Sequence, residues 1–264
     1  GLGGAVGYAV QLLCARLPQR AFCFSRLHAR RLRAEGLRGE PTVLEGEYAG
    51  SLEAPTARAA EPLVVFAGRL IPEKRAPLAV AAFALAARRI GDPALRAEFY
   101  GDGPEREALE RAISKHSVEG IASARGFVEA PAIDAALRRA MCMLSTSRRE
   151  GYGMVVVEAS ARATPSVVVA GEDNAAVELV EEGVNGVVAQ SPTPEAIAEA
   201  IVRVHEAGMA LRESTARWFA QNAQRLSLES SLRAVLASYG GGAPPTSAED
   251  RGDPPSPGEP SARA

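Results

Sequence analysis

From Pro62 onward the chain alternates short apolar runs with helix-length segments, and glycine or proline marks most of the junctions. Strands are expected at 63–67, 97–100, 121–125, 141–146, 166–170 and 186–189. Helices are expected at 76–90, 104–116, 130–140, 154–163, 175–181 and 194–207, with further helical segments over 210–238. Pro104 in a first helical turn and Thr193 before Pro194 are start signals, and Gly91-Asp92-Pro93 and Gly208 are stops. Such punctuation rules out all-helical and all-β folds. It predicts an α/β chain, a Rossmann-like parallel sheet with helices on both faces, and ligand bound outside the carboxyl ends of the strands.

Two strand ends carry the chemistry. The first apolar run, Leu63-Val64-Val65-Phe66-Ala67, is followed at once by Gly68-Arg69-Leu70-Ile71-Pro72-Glu73-Lys74. Arg69 offers a planar fork and Lys74 a point charge, a pairing suited to a diphosphate. Lys74 and Lys115 are the only lysines, so Lys74 is not generic basic filler. The second strand end leads into Glu150-Gly151-Tyr152-Gly153-Met154-Val155-Val156-Val157-Glu158. Its glycines sit where a strand passes into a helix, so the N–H groups of Gly151 to Met154 can approach an anion closely. Glu150 precedes the turn and can accept hydrogen bonds from sugar hydroxyls, while Glu158, about one turn into the helix, can take a ribose diol. Solvated carboxylates and a solvated basic loop are the bland alternatives for each unit taken alone.

Together these segments resemble the donor-binding domain of family 4 retaining glycosyltransferases. The family's Gly-Arg-Leu-x-Pro-Glu-Lys appears at Gly68 to Lys74, its Gly-Asp-Gly-Pro at Gly101 to Pro104 and its Gly-Phe-Val turn at Gly126 to Val128. The paired glutamates follow, and then Glu178-Leu179-Val180 and Gly183-Val184-Asn185-Gly186. The resemblance implies a GT-B fold, of which the C-terminal donor domain is complete and the N-terminal domain mostly missing. It divides the chain into a remnant of the acceptor domain and linker at 1–57 and a nucleotide-sugar-binding domain at 58–239, while residues 240–264, rich in Gly, Pro, Ser and acidic residues with no aromatic, are expected to be a disordered tail. It implies a retaining transfer of a hexose from a nucleotide-diphosphate sugar to a glycan, lipid or small-molecule acceptor, with no metal or other cofactor. Arg69 and Lys74 would stabilise the leaving diphosphate, and Glu150 would hold the sugar. These three are the catalytic candidates, with Gly68, Phe127, Val128, Gly151, Tyr152, Gly153, Met154 and Glu158 completing the binding set. Glu172-Asp173-Asn174 falls on the same rim, where it would orient donor or acceptor or form a polar loop.

The chain departs from the family in two places. Glu45-Gly46-Glu47-Tyr48 stands where the family has Asn-Gly after the last strand before the linker. The glycine-rich acceptor-side loop and N-terminal histidine of many such enzymes have no counterpart, and Gly1-Leu2-Gly3-Gly4 is expected to be a flexible terminus before a helix at about 6–17. A strand at 21–24 and a basic helix at 25–35 follow.

The formal net charge is −2 and the basic residues are dispersed, which argues against a nucleic-acid partner. Arg26 to Arg38 is the exception, either a solvated arginine-rich helix or a peripheral contact with anionic lipid. Cys14, Cys23 and Cys142 lie in apolar runs and are expected to be buried, reduced thiols of a cytoplasmic protein. His28, His116 and His205 are isolated and expected to be satisfied or solvated. The rival readings are another GT-B enzyme, such as a sugar-nucleotide epimerase or a glucan phosphorylase, and a non-catalytic nucleotide-sugar-binding module.

Overall fold

The computed structural model describes residues 2–240. Gly1 and residues 241–264, which hold nearly all of the expected tail, lie outside the described residues. Helix α1 (Leu2–Arg16) leads into strand β1 (Phe22–Cys23), helix α2 (Arg26–Ala34) and strand β2 (Thr42–Val43), and the two strands pair in parallel. The elements that follow are β3 (Leu63–Ala67), α3 (Ala76–Ile90), β4 (Arg96–Tyr100), α4 (Arg106–Lys115), β5 (Ala122–Gly126), α5 (Ala130–Arg139) and β6 (Cys142–Ser145). Then come β7 (Arg149–Glu150), α6 (Met154–Ser160), β8 (Ser166–Val169), β9 (Asp173–Asn174), β10 (Gly186–Ala189), α7 (Pro194–Leu226) and α8 (Leu228–Tyr239).

The main sheet has six strands, all parallel, in the order β10-β8-β6-β3-β4-β5. Successive residues of a strand point to opposite faces, so Val64 and Phe66 join a core with Phe83, Phe99 and Ile197, while Leu63 and Val65 join one with Met143, Val157 and Phe219. Both faces are therefore covered, as near-continuous apolar strands require. The chain leaves β3 toward β4 and β5 and then returns to place β6 on the other side of β3. The carboxyl ends of β3 and β6 thus form the topological switch point, the crevice where open parallel sheets bind ligands.

Several local expectations need correction. Helix α1 takes in Gly3 and Gly4, so the flexible start expected there is a helical turn: propagation adds a hydrogen bond per residue and outweighs the glycine penalty. Pro104 lies outside α4, whose N-cap is Glu105. Helix α6 stops at Ser160, short of residue 163, because Ala163 turns left-handed (φ 58°). The Thr164 and Ala163 N–H groups then bond back to the carbonyls of Ala159 and Ser160 in a Schellman closure. Residues 175–179 form a short 3-10 turn. Gly208 breaks α7 with φ 52° and ψ −131°, so the expected stop is a change of direction between two helical stretches. Trp218 and Phe219 are buried, but Leu236 is exposed on α8. Cys23 and Cys142 are buried, whereas Cys14 is exposed, because α1 turns most of its apolar surface outward.

The segment between β2 and β3 is stitched to the junction of α7 and α8. The Tyr48 N–H donates to the Leu226 carbonyl at 3.0 Å and the Tyr48 carbonyl accepts from Leu228 N–H at 2.9 Å. Among the described residues, no helix is long and apolar enough to cross a membrane.

Candidate active site

Both motifs fall at the switch point, and a set of backbone-directed bonds fixes their spacing. Beyond β3, the Gly68 N–H donates to the Tyr100 carbonyl and the Leu70 N–H to the Asp102 carbonyl, so the Gly68 turn lies against the Gly101-Asp102-Gly103 turn. Gly101 adopts φ 131°, and a Cβ there would stand 1.9 Å from the Gly68 carbonyl oxygen. Only glycine permits that approach. Arg75 closes the other side. Left-handed at φ 52°, it donates through Nε to the Thr146 carbonyl at 2.6 Å and through Nη2 to the Ser147 carbonyl at 3.2 Å. Thr146 Oγ1 donates back to the Lys74 carbonyl at 2.8 Å. This clasp spans the crevice between β3 and β6 and sets Lys74 opposite the segment that carries Glu150.

Lys74 and Glu150 meet there as an ion pair, with side chains only 19% and 18% exposed. Spacing could not have revealed this pairing, which joins residues 76 positions apart. Glu150 lies on β7, which pairs with β9 in a two-stranded parallel ladder that the sequence did not signal. Asn174 holds this ladder: its Nδ2 donates to the carbonyls of Ser147 and Val169, and its Oδ1 accepts from the Ala176 N–H. Of the expected rim triplet, Asn174 is therefore buried and structural, and Asp173 is paired with Arg31 and, at 3.6 Å, with Arg149.

Gly153, at φ 107°, caps α6, and a Cβ would stand 2.6 Å from that of Ala176. The ring of Tyr152 is buried and its hydroxyl donates to the Glu45 carbonyl at 2.6 Å, so its backbone N–H is what it can offer a ligand. Met154 opens α6, and the N–H groups of Met154 and Val155 precede its first backbone bond, which the Val156 N–H donates to the Gly153 carbonyl at 2.9 Å. Glu158 is half-buried one turn on, and burial pushes its carboxyl above the usual range against the pull of Arg162. Arg69 is exposed, with no ion pair among the described residues. Phe127 is 73% exposed, following left-handed Gly126, and Val128 packs against the core beneath it.

The structure adds groups that were not anticipated. Arg75 is the clasp just described; burial and the charge of Arg148 hold its guanidinium below the ordinary arginine value. Arg148 is exposed beside it and adds positive charge to the rim. His28 lies within 3.7 Å of the position a Gly151 Cβ would take, close to the site rather than apart from it. Glu47, in the segment that departs from the family pattern, is pushed up by burial and by Glu150. Arg31 and Arg33 of the basic helix are ion-paired with Asp173 and Glu40, so two of its charges are engaged within the chain. Glu178 accepts from the N–H groups of Arg26 and Leu27 at 2.8 and 2.7 Å, capping α2. No cluster of three metal-ligating side chains occurs among the described residues. A groove of about 1110 Å³ lined by Pro77, Leu78, Ala81, Ala108 and Lys115 shares no residue with this rim.

A parallel α/β sheet with a cation and a carboxylate paired at its switch point is a ligand-binding architecture that hosts many chemistries, and the sequence match narrows them to glycosyl transfer. Residues 52–225 match the family described as Glycosyl transferases group 1, and the chain belongs to that family. It is 28% identical over 162 residues to the poly(glycerol-phosphate) alpha-glucosyltransferase of Bacillus subtilis, covering 61% of this chain and 23% of that protein. It is 35% identical over 150 residues to the GDP-mannose-dependent alpha-(1-6)-phosphatidylinositol monomannoside mannosyltransferase of Mycolicibacterium smegmatis, covering 53% of this chain and 37% of that one. The match thus spans less than two fifths of either relative. Among solved structures, sucrose-phosphate synthase from Thermosynechococcus elongatus superposes with a TM-score of 0.74 at 20% identity, over 88% of this chain and 61% of that one. HepE from Anabaena, in complex with UDP and glucose, gives 0.73 at 20%, over 89% and 67%. These likenesses establish the fold, which is the α/β architecture expected from the sequence.

Proposed function

We propose that this chain carries the donor half of a retaining, metal-independent glycosyltransferase that moves a hexose from a nucleotide-diphosphate sugar to an acceptor. The observation that supports this most directly is the Lys74–Glu150 pair at the crevice between β3 and β6, with the exposed guanidinium of Arg69 following β3 and the N–H groups of Met154 and Val155 opening α6. Arg69 and Lys74 take the diphosphate, Glu150 the sugar hydroxyls, Glu158 the ribose diol, and Phe127 one face of the nucleobase. The N–H groups after Gly151 meet a phosphate oxygen.

In glycosyl transfer the bond from the anomeric carbon to the diphosphate breaks as positive charge develops on the sugar. Negative charge then accumulates on the departing diphosphate. Cations and N–H groups already fixed at that position stabilise the transition state more than the ground state, which is what lowers the barrier. In this reading Glu150 both holds the sugar and faces the developing positive charge. UDP in the HepE structure is consistent with a nucleotide ligand for this fold.

The test is calorimetric titration with UDP, GDP and ADP and their hexose conjugates, using a Glu150→Ala, Glu158→Ala double variant as the control. Selective binding that the control loses supports the assignment. Binding that the control retains would remove both glutamates from the site.

A further inference from the structure

Strand β5 loses register with β4 near its carboxyl end. Phe99 pairs with Ala124, but Tyr100 pairs with Gly126, which leaves Arg125 as an extra residue in the edge strand. An insertion of this kind bends its strand and re-aims the side chains around it. Buried charge holds it in place. Arg125 is ion-paired with Glu98, a buried residue of β4 that also accepts from the Tyr100 hydroxyl at 2.7 Å and pairs with Arg139 at the end of α5. Arg139 is fixed in turn by Glu61, at 2.7 Å. Replacing a buried ionic cluster by apolar side chains of the same volume is often neutral or stabilising, so what this cluster secures is one arrangement of β4, β5 and α5 rather than added stability. The turn beyond the bulge is equally constrained. Gly126 is left-handed at φ 72°, its carbonyl accepts from the Gly101 N–H at 2.8 Å, and a Cβ on it would stand 3.1 Å from Nη1 of Arg106. Phe127 follows with its ring exposed. All six strands are parallel, so the end of β5 opens on the same side as that of β3, two strand spacings or about 10 Å away.

We propose that Arg125 is a positioning residue for nucleobase recognition: paired with Glu98, it locks the bulge and thereby sets the height and tilt of the Phe127 ring beside the diphosphate cations. A strand end free to slip by one residue would send each of its side chains to the opposite face, and the ring would lose its place. Arg125 need not touch the donor. Its guanidinium is committed to Glu98, and its effect reaches a ligand through the backbone of Gly126 and Phe127. The base end of a nucleotide is thus the part that responds to Arg125, and the diphosphate is the part that does not. The role rests on the reading of Phe127 as one face of the nucleobase site, and on neither Glu150 nor Glu158.

The full chain is titrated with whichever of UDP, GDP or ADP binds best and with methyl ribofuranoside 5-diphosphate, which keeps the ribose and both phosphates and lacks the base. The ratio of the two affinities isolates the base. Stacking on one aromatic ring contributes about 5- to 150-fold, so the native ratio should lie in that range and Phe127→Ala should bring it down to near parity. Arg125→Met should lower the ratio about threefold or more while changing affinity for the abasic ligand less than about twofold. Arg125→Lys keeps a charge facing Glu98 and should hold the ratio within about twofold of native. A merely structural arginine would weaken both ligands alike or neither. A native chain that binds both ligands equally, or an unchanged ratio in Phe127→Ala, would overturn the Phe127 reading and this role with it. A ratio lost in Phe127→Ala but kept in Arg125→Met, or lost to the same extent in Arg125→Lys as in Arg125→Met, would overturn this role alone. Should Arg125→Met fail to fold because Glu98 is left underpaired, Arg125→Met combined with Glu98→Gln removes the buried charge as well and is judged by the same outcomes.

Discussion

The shared ion pair makes Glu150 and Lys74 respond oppositely to substitution. Lys74 is bonded to Glu150, with about four fifths of each side chain out of solvent. A diphosphate arriving at Lys74 must therefore compete with a carboxylate, and that carboxylate also repels it. Lys74→Met removes a charge-assisted hydrogen bond of about 1.5–3 kcal/mol and leaves Glu150 unopposed, so nucleoside diphosphate affinity should fall about 10- to 150-fold. Glu150→Gln does the reverse for the same ligand. It frees Lys74 and removes the repulsion, so nucleoside diphosphate affinity should hold or rise, by up to about tenfold if roughly 1.4 kcal/mol of pairing is released. The hexose conjugate should then lose the additional affinity that its sugar gained from the carboxylate, about 1.5–3 kcal/mol. Four calorimetric titrations, two variants against the diphosphate and its hexose conjugate, provide the comparison. If Glu150→Gln weakens the bare diphosphate as much as Lys74→Met does, the pair is a structural bridge and the division of roles is wrong.

The remaining predictions address the scaffold and the thiols. Glu98 is buried on β4; burial raises its carboxyl, but the Tyr100 hydroxyl, Arg125 and Arg139 outweigh it and hold it below the ordinary carboxylate value. That stability is present above the unfolded value and lost as pH falls through the lowered one. Glu98→Gln should therefore cost about 1–3 kcal/mol at pH 7 by urea unfolding and flatten the decline below about pH 4; an unchanged acid profile would refute this. Gly101→Ala forces a Cβ to within 1.9 Å of the Gly68 carbonyl oxygen at φ 131°, so it should cost about 2–4 kcal/mol and weaken diphosphate binding, and full retention of binding would show that the Gly68 turn is not part of the site. Burial pushes the Cys142 thiol up to about 12 and raises Cys23 as well, while Cys14 is exposed. A native chain should thus label rapidly at Cys14 with a disulfide reagent and at the other two only on unfolding.

How much was legible in advance depended on how local the determining physics was. The strands at 63–67 and 186–189 and the helix at 76–90 lie where the apolar runs and their bounding glycines and prolines put them, because burial on both faces leaves a strand few alternatives to valine, phenylalanine and leucine. The position of both motifs at strand ends followed from the same alternation. What escaped was fixed by contacts between distant segments. The Lys74–Glu150 pair, the Arg75 clasp on Thr146 and Ser147, and the Arg162–Tyr48 bond span 71 to 114 positions, and no spacing rule signals them. Strands β7 and β9 are two residues each, too short for periodicity, and exist because Asn174 binds Ser147 and Val169. Cys14 was misjudged because an apolar run was equated with burial, and α1 is apolar but largely exposed.

The same long-range bonds bear on how the site could work. Arg75 and Thr146 cross the crevice, Asn174 ties the β7–β9 ladder to the ends of β6 and β8, and Gly153 packs on Ala176. Each of these contacts runs to backbone atoms or to a small side chain, and none uses the side chain of Arg69, Lys74 or Glu150. The shape of the rim is thus maintained by one set of residues and its charge by another. An electrostatic site gains most when its charged groups are held in place before the reaction, since no reorganisation is then needed as the diphosphate departs. Lys74 and Glu150 are paired with each other on this scaffold. Under the proposed function each exchanges its partner on donor binding, Lys74 for a phosphate oxygen and Glu150 for a sugar hydroxyl.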